Sequence, residues 1–214
     1  MYQTILFDLE RHLDQFRTRD YQLGGLCLRK IWDSSARQES IESFIGPPLQ
    51  ESFERFYGFS KEECLKAIDY YHEYFSEKGL YENEVYLGVP DLLASLKQAG
   101  KQLIVATSKP EEFSIQILKH FGLYDYFDFV AGATMDRKRS KKSDVIQYAL
   151  EQNGITDLAH TIMIGDREHD VLGAQAQKFD SIGVLYGFGS REELEEAGAT
   201  YIAQEVGEIA AFIG

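Results

Sequence analysis

From about residue 82 onward the chain alternates between short apolar runs and longer amphipathic stretches, and this alternation narrows the fold more than any other feature. "VPDLLASLKQAG" reads as a helix, with Pro90 in its first turn and Gly100 at its end. "KQLIVATS" reads as a buried strand. "PEEFSIQILKHFG" is a helix, "FDFVAG" a strand, "SDVIQYALEQNG" a helix ending at Gly154, and "HTIMIGD" a strand. "EHDVLGAQAQK" and "SIGVLYG" repeat the helix-strand step. "SREELEEAG" follows, with Ser190 as N-cap and Glu193 completing a capping box. Such an order predicts an α/β fold, a parallel sheet with helices on both faces.

Residues 40 to 80 break the pattern. "GPPLQESFERFYG" and "SKEECLKAIDYYHEYFSEKG" read as consecutive helices, the second opened by a Ser60–Glu63 capping box and closed by Gly79. The expected organisation is an α/β core of residues 1–13 and 82–214, with a small all-helical cap of residues 14–81 inserted after the first strand. An insert there belongs at the C-terminal end of strand one, where open parallel sheets bind ligands.

A net charge of −13 over 214 residues disfavours nucleic acid and anionic membranes as partners, though not a small anionic substrate. No apolar run is long enough to span a bilayer, and no basic start leads into an apolar stretch. Cys27 and Cys64 lack metal-type spacing, which fits reduced thiols. A cytoplasmic protein, monomer or homodimer, is expected.

Chemistry-bearing residues stand at the predicted strand ends: Asp8, Thr107 with Ser108, and Asp166 with Asp170, while Lys141 and Lys142 open a helix. Strand ends far apart in sequence converge in space. A carboxylate can attack phosphorus and form an aspartyl-phosphate. The transferred group needs a hydroxyl, amides and a lysine around it. Carboxylates brought together call for a hard cation such as Mg²⁺.

Taken in order, "FDL", "VATSK", "KKSDVI" and "GDREHD" resemble the four motifs of a haloacid dehalogenase superfamily phosphatase, near its phosphoglycolate phosphatase and 5′-nucleotidase-like branches. The resemblance covers nearly all of residues 1–9 and 40–214. It implies a Rossmann-like three-layer core and a Mg²⁺-dependent phosphatase acting on a small phosphorylated metabolite. It assigns Asp8 as nucleophile and metal ligand, and the acid at position 10 as proton shuttle and ligand. Thr107, Ser108 and Lys142 become phosphate-binding, Asp166 a metal ligand, and Asp170 its support. Lys142 rather than Lys141 fits the spacing to "SDVI". "GPPLQESF" resembles the cap segment of the nucleotidase-like branch.

The match fails just after the nucleophile. The family continues D-G-T-L; this chain has Glu10, Arg11, His12 and Leu13. Residues 11 to 39 are arginine-rich, and Gly24 and Gly25 interrupt the expected cap helix. Removing one base from the Glu10 codon allows the rereading "DGTLTNSGLGITNSVAYALEKFGIQAPDR". That string supplies D-G-T-L and a helix-like "NSVAYALEKFGI". The expectation is that residues 10 to about 39 are a frameshifted translation, with the frame restored just before Ser40. The competing readings are a catalytically impaired relative and a phosphosugar mutase.

Overall fold

The structure is a computed structural model that describes residues 1–9, 14–16, 49–77 and 83–214. Chain contacts divide it into two units, Met1–Gln15 with Val85–Gly214, and Phe16–Glu84. The frameshift reading and the missing cap helix fall on residues outside those described.

In the first unit six strands form one parallel sheet. They are β1 (Thr4–Phe7), β4 (Gln102–Pro110), β5 (Phe129–Ala133), β6 (Thr161–Gly165), β7 (Asp180–Val184) and β8 (Tyr201–Ala203), in the order β5-β4-β1-β6-β7-β8. Two further short strands, β2 (Asp14–Phe16) and β3 (Asn83–Val85), pair separately. The strand at Asp14–Phe16 departs from the all-helical reading of residues 14–81.

The first strand of the chain is central in the sheet, so it is closed to water on both faces. "TILF" is buried throughout, which is why four uninterrupted apolar or β-branched residues stand there. Leu6, Ile104 and Met163 on adjacent strands share a core with Val145, Ile146 and Ala149 of one helix and Ala174 of another. Those helices are Lys142–Gln152 and Glu168–Ala176. Helices Val89–Gln98 and Glu111–His120 also pack on the sheet. The first of these buries Val89, Leu92, Leu93 and Leu96, an i, i+3, i+4, i+7 stripe, and Pro90 sits in its opening turn. Gly100, at φ +75°, turns the chain out of it. The expected parallel α/β core is therefore present.

In the second unit the described helices are Leu49–Tyr57 and Lys61–Glu77. Phe53, Phe59, Cys64, Ala67 and Ile68 form a core between them, with Phe53 and Phe59 stacked at 5.6 Å. Cys64 is a free thiol buried in this small core, where it packs as a small apolar side chain. The capping box is present: Ser60 N–H donates to Glu63 Oε2 at 2.8 Å, and Glu63 N–H to Ser60 Oγ at 3.4 Å.

Candidate active site

Parallel register delivers the acids to one edge of the sheet. Phe7 is level with Val105 on β4 and with Ile164 on β6. Asp8 is therefore level with Ala106 and Gly165, and Asp166 stands one residue beyond. The Asp8 N–H still donates to Ile164 O, at 2.9 Å, so its backbone belongs to the ladder. Its Oδ1 accepts the Leu9 N–H at 2.8 Å.

Lys142 begins its helix and reaches back under the sheet edge. Its Nζ lies 2.8 Å from Asp8 Oδ1, 2.8 Å from Asp170 Oδ1 and 3.1 Å from Ala106 O. An ammonium has three donors, and it has three oxygens around it. The approach to Asp170 Oδ1 is an ion pair without hydrogen-bond alignment, which leaves that oxygen capacity for another partner. Lys141, the preceding residue, is exposed.

Asp170 lies in the first turn of helix Glu168–Ala176, and its Oδ2 accepts the Arg167 N–H at 3.1 Å. Asp166 Oδ2 accepts the Phe188 N–H at 2.7 Å. Asp8, Lys142, Asp166 and Asp170 are exposed by 6%, 5%, 2% and 1%. At that depth an unpaired charge is costly, and three carboxylates face one ammonium.

The titration behaviour follows from this imbalance. Burial pushes the Asp166 carboxyl well above its usual range, and the charges of Asp170 and Asp8 push it further; the Phe188 amide and Arg167 only partly oppose. Burial, then the charge of Asp8, raises Asp170 to about 6 against the pull of Lys142. For Lys142 burial works downward, but Asp170 and Asp8 together hold its ammonium above the ordinary lysine value. A divalent cation answers the same imbalance. One oxygen from each of Asp8, Asp166 and Asp170 lies within 4.8 Å of the others, and an all-carboxylate donor set suits a hard cation.

β4 is irregular where it passes this cluster. Ala106 pairs with Ala131 and Pro110 with Ala133, so four steps along β4 match two along β5. The bulge holds Thr107, Ser108 and Lys109, and bulges beside sites re-aim side chains. Thr107 is fully buried and its Oγ1 accepts the Lys109 N–H at 3.2 Å; Ser108 is half-buried. Glu10 lies outside the described residues.

Residues 5–184 match the family model described as haloacid dehalogenase-like hydrolase. The chain belongs to that family. Among its relatives is a 5′-nucleotidase of Pseudomonas aeruginosa, 38% identical over 205 residues that cover 96% of this chain and 92% of that protein. Another is the tyrosine-protein kinase PtkA of Mycobacterium tuberculosis, 36% identical over 202 residues, 94% of this chain and 68% of that one. The solved structure of a predicted phosphatase from Clostridium acetobutylicum superposes with a TM-score of 0.94 at 47% identity, covering 100% of this chain and 98% of that one. As its motifs implied, this haloacid dehalogenase-like chain is a phosphoric monoester hydrolase. Phosphatases of the family use a divalent metal, for which Asp8, Asp166 and Asp170 are the candidate ligands here. Among the described residues no helix is long and apolar enough to cross a membrane.

In this haloacid dehalogenase-like hydrolase "SIGVLYG" predicts a strand through Gly187, but β7 stops at Val184 and the chain turns to wrap Asp166. A Cβ on Gly187 would stand 2.3 Å from Asp166 Cβ, and one on Gly189 would run into the Asp166 carbonyl oxygen. Only glycine leaves room for that approach. Ser190 does cap helix Arg191–Glu196, accepting the Glu193 N–H at 3.1 Å. Glu193, however, does not return to Ser190: its Oε1 accepts from Arg167 Nε at 2.8 Å and from the Glu168 N–H at 2.9 Å. The acidic loop outcompetes the capping box because it offers Glu193 a charged guanidinium together with a backbone amide. The available signal was "GFGS" two residues beyond the end of a strand.

Proposed function

We propose that the chain hydrolyses small phosphate monoesters with Mg²⁺, through an aspartyl-phosphate on Asp8. One observation carries the reading: a buried ammonium, Lys142 Nζ, 2.8 Å from both Asp8 and Asp170, beside a third carboxylate on the neighbouring strand end. Nothing in a packed core requires three acids and a lysine at one sheet edge, whereas phosphoryl transfer uses each of them.

In the proposed cycle Asp8 attacks phosphorus, forming a carboxyl O–P bond as the ester P–O bond breaks. The acid at position 10 protonates the departing alkoxide, then takes a proton from the water that cleaves the acyl phosphate. Lys142 holds Asp8 in place and neutralises a phosphoryl oxygen, while the Thr107 and Ser108 hydroxyls and the bulge amides hold the others. Bound at Asp8, Asp166 and Asp170, Mg²⁺ would offset the charge of the carboxylates and of the incoming phosphate.

A relative named 5′-nucleotidase supports nucleoside 5′-monophosphates ahead of phosphoglycolate as substrates. The proposed setting is the cytoplasm, with a metabolite as partner rather than nucleic acid or membrane, in a monomer or homodimer. Residues 10 to about 39 are proposed to be a frameshifted translation, which sequencing of the gene decides.

The test is release of inorganic phosphate from an aryl phosphate, nucleoside monophosphates and phosphoglycolate, with Mg²⁺ and with EDTA. It is run on the chain with Glu10 and on the frame-corrected chain. Metal-dependent release that is larger after frame correction is expected. Metal-independent release, isomerised phosphosugar in place of free phosphate, or transfer from ATP to tyrosine would overturn the reading.

A further inference from the structure

The loop that holds Asp166 is itself held from outside the acidic motif. The Phe188 amide, 2.7 Å from Asp166 Oδ2, lies between Gly187 and Gly189. Two glycines have no side chains with which to anchor that stretch, and both ends of the loop are anchored. One end is Ser190, fixed as the N-cap of helix Arg191–Glu196. The other is Tyr186, whose carbonyl accepts the Tyr86 hydroxyl at 2.7 Å, with the two rings 4.9 Å apart and tilted by 59°. Tyr86 stands on a firm base. It is buried, its carbonyl accepts the Val89 N–H at 3.1 Å, and the helix that follows is seated by Val89 and Leu93, both fully buried. The hydroxyl thus ties the loop to a buried element of the core.

We propose that Tyr86 is a positioning residue for Asp166: its hydroxyl on the Tyr186 carbonyl sets the Phe188 amide, which in turn aims the Asp166 carboxylate at the cation. The proposal rests on the reading of Asp166 as a metal ligand. Its physical basis is that of any outer partner of a ligand: the carboxylate binds best when its orientation is fixed before the cation arrives. The phenyl ring alone would keep the packing. The hydroxyl adds the hydrogen bond to the Tyr186 carbonyl, so its removal separates packing from positioning.

The experiment is titration of the metal-free protein with Mn²⁺ alone, free ion being counted by electron paramagnetic resonance. It compares wild type, Tyr86→Phe, Tyr2→Phe and Asp166→Asn. Tyr2→Phe also removes a buried-side hydroxyl bond, to Asp180 Oδ2 at 2.6 Å, but ahead of β1 at the opposite edge of the sheet. One lost hydrogen bond should raise the Mn²⁺ dissociation constant of Tyr86→Phe roughly three- to tenfold. Tyr2→Phe should leave it unchanged, whatever either variant does to the melting temperature in EDTA. Faster hydrogen exchange at the Phe188 amide should accompany the loss in Tyr86→Phe. Wild-type affinity in Tyr86→Phe, or an equal loss in Tyr2→Phe, overturns the positioning role while Asp166→Asn still binds weakly. If Asp166→Asn binds Mn²⁺ like wild type, the ligand reading fails first and takes this one with it.

Discussion

Lys142 and Asp8 lie 2.8 Å apart at a depth where an unpaired charge is costly. Removing the lysine as Lys142→Met leaves three carboxylates facing one another. Breaking a buried pair costs about 3–5 kcal/mol, so the metal-free variant should unfold at markedly lower denaturant, with Mg²⁺ restoring part of the loss. Asp8→Asn does the reverse: it removes one of the like charges and should leave the fold at least as stable, while phosphate release falls at least about a thousandfold. Denaturant titration and a phosphate assay on the two variants separate the roles. Equal destabilisation by both would contradict the charge balance. Asp8 and Asp166 were legible as candidates because a charge directly after an apolar run is conspicuous, and Asp170 and Lys142 through the motifs "GDREHD" and "KKSDVI". Phe188 was not, because it acts through a backbone amide that every residue except proline possesses.

At the scale of elements, the segment after β7 does more than connect a strand to a helix. Gly187→Ala would place a methyl 2.3 Å from Asp166 Cβ, with the backbone of β6 unable to retreat from the centre of the sheet. Mg²⁺ affinity should fall roughly 10–100-fold, read by calorimetry. Gly154→Ala is the contrasting case. Gly154 has φ +60° and open space around it, so the cost is conformational alone, about 1 kcal/mol, with no change in metal affinity. Equal effects on affinity would show that the loop does not set the ligand. The helices and strands of the core were readable from apolar period, Pro90 and Gly100. The end of β7 was not, because "SIGVLYG" continues to look like a strand while the tertiary partner of Phe188 pulls the chain away.

For the whole molecule the acidic cluster couples stability to pH and metal. Asp166 and Asp170 both titrate above the unfolded aspartate value of about 3.9, Asp170 at about 6. The folded state therefore binds these protons more tightly than the unfolded chain does. Their contribution favours folding at low pH and is lost as pH rises through about 4 to 6 and, for Asp166, beyond. The metal-free protein should lose melting temperature across that window, and Mg²⁺ should restore more at pH 7.5 than at pH 5.5. At a hundred times its dissociation constant the ion should add roughly 5–10 °C at the higher pH. Thermal scans with Mg²⁺ and with EDTA at the two pH values check this; a larger gain at pH 5.5 would contradict the buried-carboxylate account.

The amino-acid pattern by itself determined the α/β alternation, the two helices within residues 49–77 and the acids at the strand ends. All three follow from local physics: the periods of buried side chains, the turn preferences of proline and glycine, and the cost of burying charge. Only the tertiary structure decided that β1 lies between β4 and β6, which brings residues 8 and 166 side by side. It alone decided that Lys142 meets the Ala106 carbonyl, that Glu193 leaves its cap for the acidic loop, and that Phe188 holds Asp166. These contacts run through backbone atoms or join segments remote along the chain, so no local pattern of residue types encodes them.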